Sequence, residues 1–347
     1  PSAIYPGYQL AYLPNPKLRW EKVEAWEAGA EANFLRNRLH FEGVYYKKKT
    51  KDLLAEVPGI SGTVPGIGNL GSIENSGVEL ALSWRDRIGD WNYNIGMNLA
   101  TIKNKVLSLV QEGYSIIAGD KQQSYTMAGY PIGYFYGYKS NGIFQNQEQI
   151  DNYKGPKLNG DKTQPGDVIW ADTDNSGTLD ANDRTMIGKP NPDWTYGFTL
   201  SADWKGLDFS AFFQGSIGND IYKLYRRSNV TFGNYDKSWL NRWHGEGTSN
   251  WVPRVIDGDN NNYQVSNFFV EDGSYMRLKV LQIGYSLPGQ MLQRVGVKGL
   301  RFFVQGENLF TITNYSGYDP EVGTRDGFDG GTYPQARTYT IGANITF

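Results

Sequence analysis

The residues best suited to chemistry stand in one run, Asp172-Thr-Asp174-Asn-Ser176-Gly177-Thr178-Leu-Asp180-Ala-Asn-Asp183. A hard cation such as Ca²⁺ takes six to eight oxygens, and a twelve-residue loop supplies them from positions 1, 3, 5, 7, 9 and 12, with Gly at 6 for the sharp turn. Here those positions are Asp172, Asp174, Ser176, the Thr178 carbonyl, Asp180 and Asp183, with Gly177 at the turn. Asp replaces the usual Glu at position 12, and the neutral Ser at position 5 weakens the site. A structural Ca²⁺ is one reading. The other is an Asx-rich turn folded by its own side-chain hydrogen bonds.

Little else in the chain singles out a reaction. There is no Cys, so thiolate metal sites, disulfides and Cys nucleophiles are excluded, and the two histidines, His40 and His244, cannot make a multi-histidine centre. Among 36 Asp plus Glu no spacing marks a general acid and base, and nothing points to a Ser-His-Asp triad, so no catalytic residue and no enzymatic activity are expected. Gly59 to Gly71 lacks the Lys-Ser/Thr ending of a phosphate cradle. A net charge of −2 without a basic block argues against nucleic acid as a partner. Aromatic runs at Tyr130 to Tyr138 and Trp239 to Trp251 suit stacking on sugars or peptides. Packing of large loops is the favoured reading for any one ring.

The elements that carry these residues alternate apolar and polar at every second position, the pattern of strands with two chemically different faces. Trp26 to Phe34, Val78 to Arg85, Trp91 to Leu99, Trp194 to Trp204, Leu207 to Gln214 and Tyr339 to Phe347 alternate cleanly. Arg38 to Lys48, Ser274 to Leu287 and Leu300 to Leu309 do so less cleanly. Helical spacing is nearly absent, apart from a short turn near Gln290 to Val295. The expectation is an all-β chain of nine long antiparallel strands.

The links alternate in length. Leu35 to Asn37, Arg87 to Asp90, Lys205 to Gly206 and the modest Pro288 to Gly299 are short; Lys49 to Ile73, Asn104 to Asp193, Asn219 to Gly273 and Thr311 to Ala336 are long. All short turns therefore lie on one side of the sheet and all long loops on the other, the asymmetry of outer-membrane barrels. No stretch reaches the ~18–20 apolar residues of a membrane-spanning helix, whereas tilted strands of ~9–11 residues suffice to cross. Trp and Tyr cap the apolar faces, as interfacial aromatics do. A soluble β-sandwich or propeller also alternates, but lacks that one-sidedness and those caps.

The last strand ends on Phe347. With short turns periplasmic, nine crossings put Pro1 to Glu24 at the extracellular end, whereas single-chain bacterial barrels usually have an even strand count. Upstream strands outside this chain are the expectation.

Several motifs then add a resemblance. Pro165 to Arg184, Ile187-Gly-Lys-Pro-Asn-Pro-Asp193, Asn15-Pro-Lys-Leu-Arg-Trp-Glu21, Tyr45-Tyr-Lys-Lys-Lys-Thr-Lys-Asp-Leu-Leu54, Ile73 to Leu80 and Gly306 to Glu321 resemble the SusC/RagA family of TonB-dependent outer-membrane transporters. The resemblance runs from about Asn15 to Phe347. It implies that residues 1–347 are the C-terminal part of a transmembrane antiparallel β-barrel of about 22 strands, with plug and N-terminal strands absent and 104–193 as a long extracellular loop. It also implies import of oligosaccharides or peptides with a SusD-like surface lipoprotein, powered through the TonB complex by way of the missing N-terminal region. The alternatives are a secreted or surface Ca²⁺-dependent carbohydrate-binding or adhesion β-protein, and a β-rich glycan hydrolase.

Overall fold

The structure is a computed structural model and describes residues 15–57, 66–110, 113–225, 234–256, 261–292, 296–322 and 326–347. Nine long strands dominate it: β1 (Lys22–Phe34), β2 (Leu39–Lys51), β3 (Gly71–Ile88), β4 (Trp91–Thr101), β5 (Trp194–Trp204), β6 (Leu207–Ile217), β7 (Tyr275–Ser286), β8 (Gly299–Thr313) and β9 (Thr338–Thr346). Each lies antiparallel beside its neighbour in this numbering, giving one continuous meander from β1 to β9. Among the described residues β1 and β9 are each paired on one side only, so the sheet is open. Each of the nine periodic segments coincides with one of these strands; only Arg38, Ser274, Leu287 and Phe347 lie outside, each by one residue.

Tight turns close the short ends. Lys205 and Gly206 join β5 to β6 with φ of 46° and 89°, the two left-handed residues of a hairpin turn whose twist matches its strands. Beyond β7 a helical turn, Gly289–Leu292, fills part of the modest β7 to β8 link; the remainder of that expected turn, 293–295, lies outside the described residues. So do residues 1–14 and the segment 58–65 of the Gly-rich stretch.

Register fixes two faces. Phe198 sits between Met97 and Phe213, and Leu200 between Ile95 and Ala211, whereas Ser201 sits between Asn94 and Ser210. Apolar residues thus face apolar neighbours in the middle of these strands, and a slip of one residue would exchange the faces. The apolar face ends in aromatics. At the short-turn end Trp91 stacks on Trp204 (5.4 Å, 12°) and Trp84 Nε1 donates to Tyr93 Oη at 3.3 Å. At the loop end Trp26 meets Tyr45 edge-on at 5.6 Å. The 11 residues of β5 rise about 33 Å at ~3.3 Å each, or about 25 Å in height at a tilt of ~40°, the thickness of an outer-membrane apolar band.

At the loop end several strands run further than alternation suggests. β2 continues to Lys51, β3 starts at Gly71, and Lys103–Leu109 pairs with the upper part of β3. Backbone pairing continues there after polar and lysine side chains replace the apolar ones, so the period-two signal stops before the ladder does.

The long loops fold together above the sheet. Ser115–Ala118, Ser124–Met127, Tyr134–Gly137 and Thr185–Gly188 form a four-stranded sheet; Val270–Asp272, Asp220–Lys223 and Phe328–Asp329 form a three-stranded one. Their shared core is aromatic: Phe135, Tyr222, Trp239, Tyr263, Phe268, Phe269 and Phe328, with Val252 and Val265. These residues come from three loops, those following β4, β6 and β8. Most of the buried apolar side chains lie in this layer, and the sheet leaves both faces largely open.

Candidate functional site

The polar face of the sheet carries an ordered ladder of hydrogen bonds. Arg301 on β8 grips Asp208 on β6 with two bonds, Nε to Oδ1 at 2.8 Å and Nη2 to Oδ2 at 2.5 Å. Nη2 also donates to Gln282 Oε1 at 2.9 Å. Gln282 in turn donates to Gln305 Oε1 at 2.8 Å, and Gln305 to Glu307 Oε1 at 2.7 Å. On β4 and β5, Asn92 donates to Asp203 at 2.8 Å. Period two places all of these side chains on one side, and satisfied polar groups of this kind make a water-compatible wall. Close packing tightens it: a Cβ at Gly342 would stand 2.4 Å from the Phe303 ring.

Two cavities open near the loop layer. One of about 650 Å³ lies where the polar face meets the loops, lined by Asn75, Asn104, Ile132, Pro190 and Asn191. There Asn104 donates to Asn75 Oδ1 at 2.7 Å and accepts from the Ile132 N–H at 2.7 Å. The other, about 580 Å³, lies among Tyr225, Tyr235, Leu240, Asn241 and Tyr318. Tyr225 and Tyr318 stack at 6.1 Å, and Tyr318 is 70 % exposed. Burial pushes the Tyr225 phenol up to about 12, so it stays a neutral donor at any physiological pH. Amide groups with exposed aromatic rings can hold sugars or peptide backbones by hydrogen bonding and stacking.

The acidic run folds as a compact turn. Asn175 and Gly177 take left-handed backbone (φ 58° and 81°). Asp172 accepts from the N–H groups of Ser176 (3.1 Å) and Gly177 (2.9 Å), and Asp174 accepts from Ser176 N–H at 3.0 Å. Hydrogen bonds from Ser176 hold the Asp174 carboxyl below the usual range. Asp183 is fully buried and accepts from Thr173 N–H (2.7 Å) and Asp180 N–H (2.8 Å). Carboxylate oxygens of Asp172, Asp174 and Asp183 gather within 4.8 Å of one another. Asp180 is not in that group; its Oδ1 caps the 3₁₀ turn Ala181–Asp183 by accepting from Asn182 N–H at 2.7 Å. Ser176 Oγ donates to the Thr178 carbonyl at 3.0 Å. Part of the expected ligand set therefore converges, within a turn that its own hydrogen bonds already hold.

Other residues singled out by type take ordinary places. His40 Nδ1 lies 3.0 Å from Asn33 Oδ1, on the polar face, and His244 Nδ1 lies 3.0 Å from the Arg242 carbonyl. In the aromatic runs Tyr134, Phe135 and Trp239 are buried in packing, while Tyr130 and Trp251 remain exposed. Sequence reasoning missed the buried charges that tie loops to the sheet and to one another. Arg277 on β7 is 4 % exposed and pairs with Asp319 (2.5 Å) and Glu321 (2.7 Å) of the β8 to β9 loop. Asp319-Pro-Glu321 lies inside a motif that carried the resemblance, which was the available signal. Lys223, fully buried, pairs with Glu271 at 3.3 Å and donates to Ser316 at 2.7 Å.

Comparisons with known proteins agree with this architecture. A family model described as "TonB dependent receptor-like, beta-barrel" matches residues 2–309. TonB-dependent receptor P3 of Formosa agariphila is 33 % identical over 98 % of this chain and 36 % of that protein. TonB-dependent receptor SusC of Bacteroides thetaiotaomicron is 27 % identical over 96 % of this chain and 32 % of its own length. Among solved structures, the RagAB peptide transporter superposes with a TM-score of 0.80 at 28 % identity, over 96 % of this chain and 36 % of that one. The RagAB peptide importer in its open-open state gives 0.78 at 28 % identity, over 97 % and 36 %. The chain thus spans about a third of the length of the relatives it matches.

Proposed function

Because this chain belongs to the TonB dependent receptor-like β-barrel family, an outer-membrane family, we propose that it forms part of the wall and rim of a SusC-like importer of bulky nutrients. The observation that carries this reading is the nine-strand meander, with an aromatic-bordered apolar face, a hydrogen-bonded polar face and the described parts of the long loops gathered at one end. The open edges at β1 and β9 need further strands, since in hydrocarbon every backbone polar group requires an internal partner. Closure into a larger barrel places the polar face toward the lumen. The cargo is an oligosaccharide or a peptide, met by the amides and tyrosines of the two cavities. A SusD-like surface lipoprotein covers the loop end, and the TonB complex drives transport through regions of the whole receptor beyond this chain.

Growth tests the proposal. A strain lacking the full-length receptor should lose growth on one oligosaccharide or oligopeptide source and keep growth on its monomers, with restoration by the intact gene. Tyr318→Ala should lower uptake of that source severalfold without changing receptor abundance. Undiminished growth of the deletion strain on every polymeric source would sink the import reading.

A structural Ca²⁺ in the acidic loop rests on the convergence of Asp172, Asp174 and Asp183, the oxygen chemistry such an ion selects. In the full-length receptor, Asp172→Ala with Asp174→Ala should remove about one calcium per chain, read by elemental analysis. Chelation should then lower the melting temperature of the wild type alone. Equal calcium content in both proteins would leave the self-bonded turn as the whole account.

A further inference from the structure

The apolar outward face of the first four strands ends, at the loop side, in lysine. Beyond Trp26 and Tyr45 the same-face positions are Lys22 and Glu24 on β1, Lys47, Lys49 and Lys51 on β2, and Glu74 and Ser76 on β3. Lys103 and Lys105, on the segment paired with upper β3, continue the row. The register is unbroken. Lys22 faces Lys51, Glu24 faces Lys49, Lys49 faces Glu74, and Glu74 faces Lys105.

Six lysines thus share this patch with two glutamates, and both glutamates are engaged, Glu24 by Lys51 and Glu74 by Lys47 at 3.1 Å. Lys22, Lys49, Lys103 and Lys105 make no ion pair among the described residues, and Lys22, Lys103 and Lys105 are exposed. Like charges directly opposite on neighbouring strands destabilise a sheet, and Lys22 against Lys51 is such a pair, offset in part by Glu24. An anion from outside the protein relieves that repulsion. Position selects which anion: Lys22 lies four residues beyond Trp26, about 10 Å in height at ~3.3 Å per residue and a ~40° tilt. That is the depth of lipid headgroups above the hydrocarbon.

We propose that this lysine row binds the phosphorylated headgroup of an outer-leaflet glycolipid. Ammonium groups act as point charges toward phosphate, and each Lys near an anionic membrane surface strengthens binding on the order of fivefold. The row faces away from the lumen, so this is a lipid site separate from the cargo path. The proposal rests on the reading that the long loops lie outside the cell. Surface labelling of Tyr333→Cys, an exposed position in the β8 to β9 loop, settles that orientation independently of lipid binding.

The test uses the full-length receptor in detergent, with purified lipid A and phosphatase-treated lipid A as probes and native mass spectrometry as the readout. The wild type should retain the phosphorylated form at least about tenfold more strongly. Lys22→Gln, Lys49→Gln, Lys103→Gln and Lys105→Gln combined should abolish that preference, and the four Lys→Arg changes should keep it. Heat-modifiable gel migration checks that each variant is folded; should the Gln variant not fold, the wild-type preference between the two probes decides alone. Equal retention of the two probes by the wild type overturns the proposal. So does an unaltered preference in a folded Gln variant, or loss of a co-purifying protein from that variant with lipid A binding unchanged.

Discussion

Replacing Leu200 by arginine is expected to block assembly of the receptor in the outer membrane, whereas the same change at the next residue, Ser201, is expected to be tolerated. Leu200 lies near mid-height between Trp194 and Trp204, on the face it shares with Ile95 and Ala211. A charged side chain at the bilayer midplane costs about 2–4 kcal/mol on the lipid face of a barrel, and little on the lumen side. Leu200→Arg should therefore lower the unfolding free energy read from a urea titration of the full-length receptor by that amount and reduce its heat-modifiable form. Ser201→Arg, one residue along and on the opposite face, should match the wild type. Equal effects of the two changes would contradict the assignment of faces.

The second large effect is expected at Arg277. Its guanidinium holds Asp319 and Glu321 and donates from Nε to Thr311 Oγ1 at 2.8 Å. Asp319 is nearly inaccessible and also accepts from the N–H groups of Glu321 and Gln335. Arg277→Ala strands that carboxylate in the interior, a loss of about 3–5 kcal/mol for a buried pair broken on one side. The β8 to β9 loop should become accessible to limited proteolysis. Pairing Arg277→Met with Asp319→Leu should recover part of the loss, because no charge is then left alone.

Acid should act at the same place. Burial pushes the Asp319 carboxyl up, yet the hydrogen bonds from Gln335, Arg277 and Glu321 prevail and hold it below the usual range. Its contribution is therefore present above the unfolded value of about 4 and is lost as pH falls through the lower folded value. Loop protection against protease should fall in acid in the wild type and be already absent in Arg277→Ala.

The nine strands were legible because a two-faced strand writes its geometry into every second residue, as Trp194 to Trp204 does. The alternation of link lengths likewise gave the sidedness of the loops. What lay above the belt was not legible. Lys49 to Lys51 and Lys103 to Leu109 remain in the ladder although their side chains no longer alternate apolar and polar, and pairing of backbone alone leaves no compositional trace. The loop core was hidden for another reason: Phe135, Trp239 and Phe328 meet from three loops distant in the chain, and no period relates them. In the acidic run the turn itself was readable from Gly177, while the left-handed Asn175 was not singled out. The diversion of Asp180 into capping was not, since a cap and a ligand demand the same side chain.

The shared aromatic core of the loops has a mechanical meaning. Pulling any one of the three loops outward bares Phe135, Phe328, or the cluster around Trp239 and Phe268, and uncovers the rings packed against it. At about 1.5–3 kcal/mol for each large side chain brought into water, such an excursion costs on the order of 5 kcal/mol and occurs in fewer than about one molecule in a thousand. The three loops accordingly behave as a fixed doorframe. Any door must be hung from outside it.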